Sequence, residues 1–165
     1  MIGTWTFAAV FLGFLLLAAR SDLADLRIPN RLAVAMAACG LPAVWLLGPG
    51  AAALPAAALA GAATLVVAWG MFELGWLGGG DAKLAAAASL WLGPEATLVF
   101  VLATALFGAV LATILLLLSR WEPALSAAGP RWRNRLTADA ISIPYAVAMA
   151  PAGAVAMIAR ISEFA

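Results

Sequence analysis

The sequence predicts an all-α membrane protein, and three observations carry that expectation. Hydrophobic residues make up 66% of the chain and charged residues only 10%, against about half and about a quarter in an ordinary soluble domain. The mean hydropathy is +1.07. The apolar residues fall in runs near 20 long, the length an α-helix needs to cross a bilayer. With 165 residues, several spans leave no room for an added soluble domain, so residues 1–165 are expected to form a single polytopic membrane domain.

The clear spans, in order, are Ile2–Ala19, Leu32–Leu47, Ala51–Leu74, Ala96–Leu118 and Ile141–Ala159. The first has no lysine or arginine ahead of its apolar stretch, so it is expected to be a retained span, not a signal peptide. Between the third and fourth of these lies Ala82–Leu92, only 11 residues or about 17 Å of helix. Charge sorting decides its place. If it crosses, Arg20, Arg27, Arg31, Lys83, Arg120, Arg131, Arg133 and Arg135 share one side and Arg160 alone faces the other, eight against one. If it does not cross, the split is four against five. The positive-inside rule selects the first arrangement: six transmembrane helices with the N- and C-termini outside.

Tryptophans follow the same scheme as interfacial anchors. Trp5, Trp45 and Trp91 fall near outer ends, and Trp76, Trp121 and Trp132 near inner ones. Trp69 does not fit and is expected inside the bundle. The long connection Ser119–Ala140 is basic and carries Trp121 and Trp132, a composition shared with nucleic-acid binders. Beside two spans it is expected to anchor the chain on the inner headgroups, with no nucleic-acid partner. Ala-rich stretches such as Ala51–Ala63 and Ala82–Ala88 allow close helix packing.

The chain has no histidine and one cysteine, Cys39. That excludes an internal disulfide, a Cys/His zinc site and a His-based triad. No metal and no cofactor is expected, and Cys39 is expected to serve packing. Two acids stand out instead. Asp22 ends the first span and Asp81 starts the fourth, both facing the cytoplasm. Ionisable groups at membrane depth are costly and mark function by default.

Each acid also has a plainer reading. Asp81 follows Gly78-Gly79-Gly80 and is a good helix N-cap; yet bare glycines beside an acid also allow another chain to approach. Asp22 suits an interfacial pair with Arg20 or Arg27, which contributes little. Asp25 lies three residues on and shares a helical face with Asp22 if the helix continues, so it is a candidate modulator. Pro29 ends the regular structure. Together the two acids say more. Two carboxylates at one depth cannot both ionise cheaply, so one keeps a proton, the other is a base, and a water between them becomes a nucleophile.

Asp22-Leu23-Ala24-Asp25-Leu26-Arg27-Ile28-Pro29-Asn30 and Gly78-Gly79-Gly80-Asp81 resemble the two motifs of the type IV prepilin peptidases, membrane aspartyl proteases of the GxGD type. The first is an Asp followed seven residues on by the Pro of Ile-Pro-Asn, which selects Asp22 over Asp25. Ile143-Pro144-Tyr145 resembles a recurring Pro-Tyr near the last span. The resemblance implies an endopeptidase that cleaves the basic leader from a prepilin (a class III signal peptide) at the cytoplasmic face of the inner, cell membrane, with Asp22 and Asp81 catalytic and Gly78, Gly79 and Gly80 as the supporting loop. It implies a prepilin partner and a possible place beside the pilus assembly machinery. Longer members carry an N-terminal cysteine-bearing insert tied to methylation, absent here, so no methyltransferase activity is expected. The short form resembles that of Flp (Tad) pilus systems, and archaeal preflagellin peptidases are also short.

Lys83 is expected to mark the cytoplasmic interface, with positive charge near the dyad as the alternative role. Glu73 reads as a helix-end residue and Pro144-Tyr145 as shaping the last helix. Two other functions use the same features: a small proton- or ion-coupled transporter with these acids as ligands, and a passive assembly subunit. A transporter of inverted halves calls for broken helices at matching positions, and only the Gly78–Gly80 break is evident.

Overall fold

A computed structural model describes residues 2–46, 49–119 and 144–162. Among these it is all-helical: α1 (Ile2–Asp25), α2 (Asn30–Leu46), α3 (Leu54–Glu73), α4 (Gly79–Ser119) and α5 (Tyr145–Ser162), with one 3₁₀ turn at Ala51–Ala53 before α3. Four helices are long and apolar enough to cross a membrane, and α2 is a shorter apolar one. The connection Ser119–Ala140, with Trp121 and Trp132, lies outside the described residues after its first position.

Five helices are counted among the described residues, α4 being two helical stretches joined at a kink. The reason is local. Ala82–Leu92 and Ala96–Leu118, expected as two spans, form one 41-residue element interrupted only at Gly93, which has φ 71° and ψ 178°. Glycine enters that left-handed region at no steric cost, and Pro94, next in the chain, has no N–H to continue the first half's hydrogen bonds. The element packs mainly on α3 and on α5. A Cβ at Gly93 would lie 2.8 Å from Nη1 of Arg160, whereas one at Gly108 would lie 3.5 Å from the Tyr145 ring. Those contacts sit at opposite ends of α5. The break replaces a loop.

Trp91 is the centre of the core. It is fully buried, with its ring 5.2 Å from Phe7 and 5.9 Å from Phe11 between centroids. Its indole N–H donates to the Met36 carbonyl at 2.8 Å. The interfacial role expected for Trp91 is therefore corrected: its ring joins α1, α2 and α4 inside the bundle. Trp69 is corrected in the opposite sense. It is exposed and donates to Glu73 Oε1 at 2.7 Å, one helical turn away. Cys39, expected in the core, is exposed as well; α2 turns its other face, with Met36, Gly40 and Val44, inward.

Elsewhere small residues set the spacing, as a bundle without a hydrophobic force between helices requires. Gly153 of α5 is so close to α1 that a Cβ there would collide with Leu15 and approach the Phe11 ring to 3.2 Å. Gly153→Val is expected to push α1 and α5 apart and cost about 1–3 kcal/mol, read as a lower midpoint of thermal unfolding in detergent. Ser89 links α4 to α3, accepting from the Thr64 hydroxyl at 2.9 Å.

Candidate active site

Asp22 lies in the last turn of α1, which runs past the expected end at Ala19 and takes both Asp22 and Asp25 into the helix. Its side chain is 6% exposed. Oδ2 accepts the backbone N–H of Ala146 at 3.0 Å, in the first turn of α5. Those first N–H groups have no partner within their own helix, and the positive end of the helix dipole favours an anion there. The local sequence explains the meeting. Pro144 is buried ahead of the helix, its carbonyl accepts Val147 N–H at 3.1 Å, and the turn so formed aims the Ala146 N–H at α1.

Asp81 lies in the first turn of α4, and the two carboxyl groups are within electrostatic reach of each other. Its Oδ1 is buried, and no group of the described residues hydrogen-bonds to it. The glycines before it are partly helical: α4 starts at Gly79, so only Gly78 remains outside, a correction to the expected free tract. Each glycine faces something. A Cβ at Gly78 would sit 2.7 Å from Asp81 Oδ2, one at Gly79 would sit 3.2 Å from the Phe72 ring, and one at Gly80 would sit 3.1 Å from Ile28 Cβ. Gly78 thus leaves room for the carboxylate itself. Gly78→Ala is expected to displace that carboxylate, cutting turnover roughly 10²-fold through misplacement with the protein still folded, as checked by cleavage rate and thermal melt together.

The segment joining Asp22 to α2 is stiff. Leu26 adopts φ 50° and its N–H reaches back to the Asp22 carbonyl at 2.9 Å, closing the helix in a left-handed cap that costs a non-glycine residue of order 1–3 kcal/mol. Ser21 Oγ donates to the Arg27 carbonyl at 2.9 Å. Asn30 then begins α2 and accepts from Lys83 Nζ at 3.0 Å. Lys83 is exposed and contacts the first motif through this bond. Asp25, Ser21, Arg27, Ile28 and Pro29 line an open cleft of about 640 Å³ at the end of α1.

The model of the type IV leader peptidase family matches residues 9–113, more than half of the chain and a range that includes both aspartates. The chain belongs to the type IV leader peptidase family. No curated protein and no solved structure matches it. In this leader peptidase the structure brings Asp22, Asp81 and Gly78–Gly80 to one end of the bundle, while Asp25 stands apart from the two acids, on the cleft wall. Sequence reasoning missed two participants: the Ala146 backbone, for which Pro144-Tyr145 was the only signal, and Asn30, which stood in the motif without an assigned task.

Proposed function

We propose that this leader peptidase is a membrane aspartyl endopeptidase of the GxGD type that removes the basic leader of prepilins, with Asp22 and Asp81 as its catalytic pair. The observation that carries it is one acid anchored by a helix N-terminus within electrostatic reach of a second whose Oδ1 accepts from no described group. A backbone N–H only donates, so Oδ2 of Asp22 is held as an acceptor, which suits the base. Asp81 is then the acid. Asp22 takes a proton from a water whose oxygen attacks the scissile carbonyl carbon, and Asp81 gives its proton to the carbonyl oxygen. Collapse of the tetrahedral intermediate breaks the C–N bond: the departing nitrogen takes up the proton held on Asp22, and one hydroxyl of the gem-diol returns its proton to Asp81 as the carboxyl group forms. The products are a leader with a new carboxyl terminus and a pilin with a free amine. No metal or covalent intermediate is required.

The proposal includes six crossings with both termini outside, the halves of α4 either side of Gly93 counting separately. The opposed contacts of Gly93 and Gly108 along α5 support that count, and the eight-to-one charge split supports the orientation. The site then faces the cytoplasm from the inner membrane, where a prepilin leader lies, within reach of the pilus assembly machinery. The substrate in this reading is an Flp-type pilin, and the activity is peptidase without methylation.

The test is cleavage by purified enzyme in liposomes. Incubated with a prepilin of basic leader and hydrophobic helix, it is expected to release the leader and give one new pilin N-terminus by mass spectrometry. An intact precursor, with proton or cation flux that depends on Asp22 and Asp81, would instead establish the transporter.

A further inference from the structure

We infer that Asn30 and Lys83 form a clasp that positions Asp81 against Asp22, so that neither touches substrate and both set the geometry of the catalytic pair. The inference rests on the peptidase reading above. Its starting point is a shortage of contact. The backbones of α1 and α4, which carry the two acids, scarcely approach each other along their length. Their main direct link is Trp91 against Phe7 and Phe11, and Trp91 is ten residues, about 15 Å of helix, from Asp81. Both helices pack instead on α5, and α2 packs on α4; nearer the acids, the residues between α1 and α2 meet α4 directly.

Two independent contacts do so at the right end. Lys83 Nζ donates to Asn30 Oδ1 at 3.0 Å. Lys83 is two residues beyond Asp81, on the same first turn of α4. Beside it, Gly80 meets Ile28 so closely that a Cβ there would lie 3.1 Å from Ile28 Cβ and 3.6 Å from the Ile28 backbone N and O. The second arm is rigid back to Asp22. Leu26 closes onto the Asp22 carbonyl and Ser21 onto the Arg27 carbonyl, both at 2.9 Å, and Pro29 fixes its own φ. The path from Asp22 through residues 26–30 to Asn30, across to Lys83 and back to Asp81, thus closes through one hydrogen bond, with the Gly80–Ile28 contact beside it.

An exposed bond of this kind contributes little to stability. Its effect is on placement, where an error of 1 Å can cost on the order of 10²-fold in rate. That separation is what the test reads. In liposomes with a prepilin substrate, Lys83→Met keeps the side-chain stem and loses the donor, and Asn30→Ala loses the acceptor. Each is expected to lower kcat roughly 10- to 100-fold with KM within about twofold and the unfolding midpoint unchanged. Lys83→Arg and Asn30→Asp, which keep a donor and an acceptor, are expected to restore most of the rate. The double variant is expected to be no slower than the slower single one, since one bond is lost in all three.

Wild-type kcat in Lys83→Met, losses that multiply in the double variant, or a fall in unfolding midpoint with unchanged kcat would each overturn the clasp. Asp81→Asn, run in parallel, separates the two ideas. If it is inactive while Lys83→Met is fully active, the clasp fails and the peptidase stands. If it cleaves normally, the peptidase reading fails.

Discussion

Replacing either acid by its amide, Asp22→Asn or Asp81→Asn, is expected to leave a prepilin unprocessed while the enzyme accumulates in the membrane at normal levels. The amide has nearly the shape of the carboxylic acid but neither takes nor gives a proton in the reaction, so each variant loses general acid–base catalysis, on the order of 10²–10⁴-fold. Folding should survive for different reasons at the two positions. At position 22 the amide oxygen still accepts the Ala146 N–H that holds Oδ2 at 3.0 Å. At position 81 the amide keeps the shape of the carboxyl group, and no hydrogen bond to Oδ1 from the described residues is lost. Asp25→Asn, on the cleft wall outside the pair, is expected to retain far more activity than either. Co-expression with a prepilin and a mobility shift on a gel read all three.

The largest expected effect on stability is at Trp91. Truncation by Trp91→Ala opens a space among α1, α2 and α4, and little of the loss comes from transfer to lipid, because hydrocarbon surrounds the helices in either state. The cavity dominates. A void of roughly 120 Å³ at about 24 cal/mol per Å³ corresponds to about 3 kcal/mol. Collapse is resisted because Gly40 already lets the indole within 3.2 Å of where a Cβ would stand. Trp91→Phe, which keeps most of the volume and gives up the bond to the Met36 carbonyl, is expected to cost about 1 kcal/mol. Thermal unfolding in a fixed detergent ranks the two. Because Trp91 also ties α1 to α4, Trp91→Ala should lower cleavage at temperatures where the protein is still folded.

The helical class and the acids were legible because they depend on patterns along the chain. Apolar run length marks helices, and the spacing of Asp22 from Pro29 and of Gly78 from Asp81 marks the motifs. What was not legible depends on faces. Trp91 and Trp69 are the same residue type near the ends of apolar runs, and only packing decides that Trp91 lies against Phe7 while Trp69 bonds to Glu73. In a chain this apolar both faces of a helix are hydrophobic, so periodicity cannot separate lipid from core. Gly93 escaped for a related reason: the sequence does not reveal that a single non-helical residue suffices between two helices. The Ala146 N–H on Asp22 was invisible because a backbone group carries no sequence signature.

The most direct test of the central claim, that acids from two separate helices share one site, is cross-linking at those positions. In a Cys39→Ser background, Asp22→Cys and Asp81→Cys are combined, and a protease site is placed in the connection between α2 and α3. A short thiol-reactive bridge is then added to membranes. The account predicts that the two fragments stay joined after proteolysis, and separate when either cysteine is omitted. Both cysteines labelled by a monofunctional reagent, yet never bridged, would place the acids apart and contradict it.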